Sequence, residues 1–181
     1  MKRLFRSVLM LLLGLALVGP TAAAAQATPY CGIHWGSLRE SASAQSAATV
    51  ENVRTGRHTC FDRMVVDVLG DVRGYDVRYV SAVRTDGAGT VVPLRGGAQL
   101  AVVVRAPAYD DSGRATYRPA NPRELTDVTG YRTFRQLASA GTFEGQTTIG
   151  LGVRARLPFR VFVLDGPGDY SRMVVDVAHR W

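Results

Sequence analysis

The chain has 181 residues and a formal charge of +7, with 22 Lys and Arg against 15 Asp and Glu; that length suits one domain with a full hydrophobic core. Lys2 is its only lysine, so beyond the first residues lysine-nucleophile and Schiff-base chemistry is excluded. The basic residues form no run or stripe, which argues against a nucleic-acid partner.

Lys2, Arg3 and Arg6 precede an apolar run from Val8 to Val18, interrupted only by Gly14, then Gly19-Pro20 and the small residues Ala22 to Ala25. This is the pattern of a cleaved export signal, and the run is shorter than the ~20 apolar residues that a bilayer span needs. Residues 1–25 are read as signal peptide. The remainder, with a charge of +4, is expected to be secreted, monomeric and without a membrane anchor. A modest positive charge could favour anionic wall polymers.

Residues 26–49 form an N-terminal segment. Tyr30 to Leu38 is compact and carries Cys31, His34 and Trp35, whereas Ser41 to Ala48 contains only Ser, Ala and Gln and reads as a loose connector or short surface helix. In an oxidising compartment Cys31 and Cys60 are expected to form a disulfide. Closing a loop of about 30 residues would contribute roughly 3–4 kcal/mol in the chain-entropy model. The alternative is a zinc site of Cys31, His34, His58 and Cys60. The expectation is no metal and no cofactor.

The domain proper is read as 50–181. Strand signals fall at Val50–His58, Cys60–Leu69, Tyr75–Val80, Gln99–Arg105, Gly141–Arg154, Phe159–Leu164 and Tyr170–Ala178, rich in β-branched residues and punctuated by Gly and Pro. Tight turns are expected at Gly70-Asp71, Asp86-Gly87-Ala88-Gly89 and Gly166-Pro167-Gly168-Asp169. Ala106 to Gly130 reads as a long loop. This pattern predicts an all-β sandwich or barrel of short strands.

The hexapeptide Arg-Met-Val-Val-Asp-Val occurs at Arg63–Val68 and again at Arg172–Val177. Alternation puts Met64, Val66 and Val68 on one face, and Met173, Val175 and Val177 likewise; these are the expected core. If the copies pair antiparallel with Val65 opposite Val174, Arg63 meets Asp176 and Asp67 meets Arg172. Parallel in-register pairing would set like charges together. The other possibility places the two copies at equivalent positions in facing sheets.

The run Val53 to Val68, followed by Gly74-Tyr75-Asp76-Val77-Arg78-Tyr79-Val80, resembles the AMIN-like domain of actinobacterial secreted proteins. Phe143 to Gly152 and Leu157-Pro158-Phe159-Arg160-Val161-Phe162 resemble that family's second block. The likeness covers about Thr49 to Trp181. It implies a β-sandwich of mostly antiparallel strands, distantly similar to the AMIN domain that targets cell-wall amidases to peptidoglycan. By resemblance, the chain is expected to be a non-catalytic binding module associating with peptidoglycan or an attached anionic polymer. The alternative is a protein-interaction domain that partners or inhibits an exported enzyme. The resemblance supplies no site residues, and Cys60 departs from the usual motif.

Catalytic constellations are weak. His34, His58 and His179 are scattered, no Gly-x-Ser-x-Gly elbow is present, and no histidine has a metal-motif spacing with a glutamate. Glu144 with Asp62 or Asp165 would be a paired-carboxylate set only if folding brought them together. The candidate binding residues are Arg57, His58, Arg63, Tyr109, Tyr117, Arg118 and Glu144: cations for wall carboxylates or phosphates, and aromatics for stacking. Glu144 reads either as a groove carboxylate or as a partner of Arg57 or Arg63. Asp110-Asp111-Ser112-Gly113 lacks calcium-loop ligand spacing and reads as a solvated turn.

Overall fold

The computed structural model describes residues 29–181, and the expected export signal lies outside them. Among the described residues nine strands follow in chain order: β1 Glu40–Ser43, β2 Ala48–Arg57, β3 Phe61–Gly70, β4 Gly74–Val80, β5 Ala98–Val104, β6 Phe134–Phe143, β7 Gln146–Val153, β8 Phe159–Asp165 and β9 Tyr170–Ala178. They form a four-stranded sheet, β2-β3-β9-β8, and a five-stranded sheet, β1-β4-β5-β7-β6. Every pairing is antiparallel. The sheets pack face to face as a sandwich around one apolar cluster.

The repeated hexapeptide forms the centre of the smaller sheet. β3 and β9 are antiparallel neighbours with Val65 opposite Val174, Arg63 opposite Asp176 and Asp67 opposite Arg172. Met64, Val66, Val68, Met173, Val175 and Val177 are all fully buried. They meet Leu100, Val102, Ile149 and Leu151 of the larger sheet in the same cluster. Arg63 grips Asp176 with two bonds of 2.7 and 2.9 Å, and Arg160 adds a third of 2.9 Å. The second charge pair resolves differently. Asp67 faces Arg172 in register, but its carboxylate accepts two bonds from Arg54 of β2, at 2.8 and 2.9 Å. Arg172 turns instead to the Asp165 carbonyl at 2.7 Å.

Two elements escape the sequence reading. The Ser/Ala-rich stretch is neither connector nor helix at its start: Glu40–Ser43 pairs with β4 as an edge strand. Its backbone supplies the ladder, so apolar side chains are not required. The apparent single strand 141–154 is the end of β6, a turn, and β7. Glu144 (φ 48°) and Gly145 (φ 77°) form that turn, the left-handed pair typical of a two-residue hairpin.

The segment 30–43 straps the molecule. The Cys31–Cys60 disulfide fixes one end, which removes the zinc alternative because both thiolates are consumed. Gly36 exchanges hydrogen bonds with Phe159 on the β8 edge (3.4 and 2.7 Å). Glu40 then accepts the Val161 amide at 3.0 Å, and β1 continues onto the other sheet. Burial pushes the Glu40 carboxyl up, against the lowering effect of that amide.

A second covering layer lies outside the larger sheet. Val83, with Val92 and Leu94, packs on Ala101 and Ala140. β7 carries glycine there because the loop sits on its backbone. A Cβ at Gly152 would lie 2.0 Å from the Arg95 carbonyl oxygen, and one at Gly150 2.8 Å from Leu94.

Candidate functional site

The hollows at the two ends of the smaller sheet differ in the charge that lines them. The β2–β3 hairpin closes one end, where His58 N–H donates to the Phe61 carbonyl at 2.9 Å. Arg57, His58 and Arg132 line a cleft there of about 330 Å³. At the other end Asp110, Asp111 and Asp169 line a cavity of about 780 Å³ beside Ala48 and Gly70. The ten residues of β2 put roughly 30 Å between these ends.

The floor of the basic cleft is a buried polar cluster. Asp62, 1% exposed, accepts the Thr133 and Phe134 amides on Oδ2 at 2.6 and 3.0 Å. Its Oδ1 lies 3.2 Å from His179 Nε2. A carboxylate opposite Nε2 places the ring proton on that nitrogen. Thr133 Oγ1 reaches the Ala178 carbonyl at 3.3 Å and Arg154 the His179 carbonyl at 2.7 Å. The cluster thus ties three distant parts of the chain together: the start of β3, the loop before β6 and the C-terminal residues. Asp62 has its acceptor capacity taken by backbone amides and imidazole, so its evident job is structural.

That loop also frames a second hollow of about 680 Å³, lined by Glu124, Thr126, Asp127, Tyr131 and Arg135 among others; Gly130 lines both. Together they make a groove around one end of the sandwich. Arg95 pairs with Glu124 and also donates to the Arg135 carbonyl at 3.0 Å. Asp127 is held below its usual range by the Thr129 amide and hydroxyl. Arg180 lies over the Tyr30 ring at 4.6 Å, near the disulfide.

The expected binding residues are thereby divided. Arg57 and His58 share the basic cleft. Arg63 stands on the outer sheet face, held by Asp176 and stacked 5.2 Å from Phe61 and 5.4 Å from Phe162. Arg160 lies 5.5 Å from Trp35 and 4.9 Å from Phe162, so these guanidinium and aromatic planes pin the strap to the sheet. Tyr109 lies at the acidic end, its hydroxyl accepting the Gly145 amide at 3.3 Å. Tyr117 packs against the core, and burial raises its hydroxyl pKa. Arg118 is exposed on the same loop.

Glu144 is exposed in the β6–β7 turn, at the far end of ten-residue β6 from Phe134 and therefore from Asp62. It pairs with neither Arg57 nor Arg63, whose place in the fold is the other sheet, and it makes no carboxylate pair with Asp62. Asp110-Asp111-Ser112-Gly113 is a solvated turn. Asp110 is lowered to about 2 chiefly by the Ser112 hydroxyl, then by the Arg114 amide. Among the described residues no group of three or more His, Cys, Asp or Glu is placed to hold a metal ion.

Sequence reasoning missed Arg132 and Gly130, and it named Asp62 and His179 without bringing them together. Their proximity comes from long-range contacts, 117 residues apart for Asp62 and His179, and no local motif announces it.

Among the described residues no helix is long and apolar enough to cross a membrane. No curated protein matches the chain. The model of the AMIN-like domain matches residues 48–179, which takes in both sheets apart from β1. The chain belongs to the AMIN-like domain family.

Proposed function

We propose that this protein is an exported, non-catalytic module that binds the cell wall through the groove at its basic end. The observation that carries this reading is the basic cleft of that groove: Arg57 and Arg132 line it, and its one carboxylate among the described residues, Asp62, is buried and committed; of the carboxylates in the adjoining hollow, Glu124 is paired with Arg95. Acidic residues line the cavity at the opposite end. Such a field orients the molecule basic end first toward an anionic polymer. The AMIN-like family supports a wall-related role, and the disulfide suits an oxidising exterior. Catalysis is a poorer reading, because the one His–Asp pair among the described residues is buried and spent on holding the loop and the C-terminal residues.

The test is co-sedimentation of the domain with purified peptidoglycan, with and without attached anionic polymers, at low and moderate salt. Retention that weakens with salt is the expected result. No retention under any condition would remove the wall reading and leave a partner protein as the ligand.

A further inference from the structure

We infer that the cleft between the β2–β3 hairpin and the 128–133 loop is an oxyanion subsite, in which Arg57 and Arg132 clamp one carboxylate or phosphate group of the polymer. This inference rests on the wall-binding reading and names the chemical group recognised.

Eight of the nineteen arginines among the described residues, Arg39, Arg54, Arg63, Arg73, Arg78, Arg95, Arg114 and Arg160, pair with carboxylates. Arg57 and Arg132 have no carboxylate within ion-pair distance among the described residues, though they line a cleft that contains one. That carboxylate, Asp62, already receives two amides and the imidazole. Two unspent guanidiniums on one hollow can give an oxyanion bidentate, charge-assisted bonds.

Arg57 is also held in place. Arg57 lies over the Tyr131 ring at 5.9 Å, and an added Cβ on Gly130 would come within 3.5 Å of its Nη1. His58 stacks on Phe61 with ring centroids 4.5 Å apart. An anion entering the cleft therefore meets groups whose ordering cost is partly met beforehand. The floor adds a second observation. His179 lines the cleft with a side chain 7% exposed, and its Nδ1 is buried with no hydrogen-bond partner among the described residues. Nδ1 is thus an unused polar atom on the floor, placed to bond a hydroxyl or water carried in with the anion.

Two readouts test the subsite on the disulfide-intact protein. In the first, inorganic phosphate and acetate are titrated while the ring signals of His58 and His179 and the amides of Thr59 and Gly130 are followed by NMR. Saturable shifts that vanish in R57Q/R132Q, with Tm unchanged, are expected; shifts of equal size in the variant overturn the inference. In the second, wild type and R57Q/R132Q are compared on purified wall, where the variant should bind at least about tenfold more weakly. Equal binding of both overturns the subsite and leaves wall binding standing. A wild type that ignores the wall yet titrates phosphate through Arg57 and Arg132 overturns wall binding and supports the subsite. Loss of binding after removal of phosphate polymers identifies phosphate as the group, and loss after amidation of stem carboxylates identifies carboxylate; either supports the clamp.

Discussion

Replacing Asp62 by alanine should loosen the whole basic end. The carboxylate is 1% exposed and accepts the Thr133 amide at 2.6 Å and the Phe134 amide at 3.0 Å, with His179 Nε2 at 3.2 Å. Truncation strands three donors, two of them backbone amides in a buried setting. Each buried donor left unsatisfied costs about 1–3 kcal/mol, and part is recovered because the exposed 129–132 portion of the loop can relax. A net loss of about 3–4 kcal/mol follows, or roughly 10 °C in Tm for a chain of this size. Asp62→Asn should cost less, about 1–2 kcal/mol, because its remaining oxygen still serves the amides, and its NH2 finds an acceptor in Nε2 once the ring proton moves to Nδ1. Denaturant unfolding with the disulfide intact measures the stability, and amide exchange at Thr133 and Phe134 locates the loss. A D62A protein within about 1 kcal/mol of wild type, with both amides still protected, would refute the structural role given to Asp62.

Gly152→Ala would drive a Cβ to 2.0 Å from the Arg95 carbonyl oxygen, so the covering loop must lift; a destabilisation of roughly 1–3 kcal/mol is expected by thermal melts, and an unchanged Tm would contradict the packing. Reducing Cys31–Cys60, which closes a span of 29 residues, should remove roughly 3–4 kcal/mol, measured as the shift in denaturant midpoint with and without reductant. Asp110 has a folded-state pKa lowered to about 2, so the order that its carboxylate gives the 110–114 turn is present above the unfolded value near 3.8. It is lost as pH falls through about 2. NMR titration of the Ser112 and Arg114 amides should follow that change, and a midpoint at the unfolded value would contradict it.

The centre of the sandwich was legible because its information is local and periodic. Met64 to Val68 and Met173 to Val177 alternate cleanly, and the charge pattern of the repeat favoured antiparallel over parallel pairing, while facing sheets stayed open until the structure set Val65 opposite Val174. Asp67 shows the limit of that logic: register set it opposite Arg172, but β2 on its other flank offered Arg54 a two-bond geometry. β1 was hidden because an edge strand needs only backbone partners, and Ser and Ala gave no periodicity to read. Most of β6 was hidden for a related reason: Ala138, Ser139, Ala140 and Gly141 are small, and bulges at Phe134/Gln136 and Ser139/Gly141 break its alternation. The candidate site was only half visible. Arg57 and His58 stood out in sequence, whereas Arg132 and His179 join them only through the cluster around Asp62. Glu144 was conspicuous in sequence because little charge surrounds it, a property that a two-residue hairpin turn explains without any ligand.

The most direct test of the groove as the wall-contact surface is amide hydrogen exchange on the intact domain, free and bound to purified peptidoglycan. Protection gained at residues 57–62 and 124–135, with the Asp110–Arg114 turn unchanged, is the predicted result. Protection confined to the acidic end or to the β1–β4 edge, with the groove still exchanging freely, would contradict it.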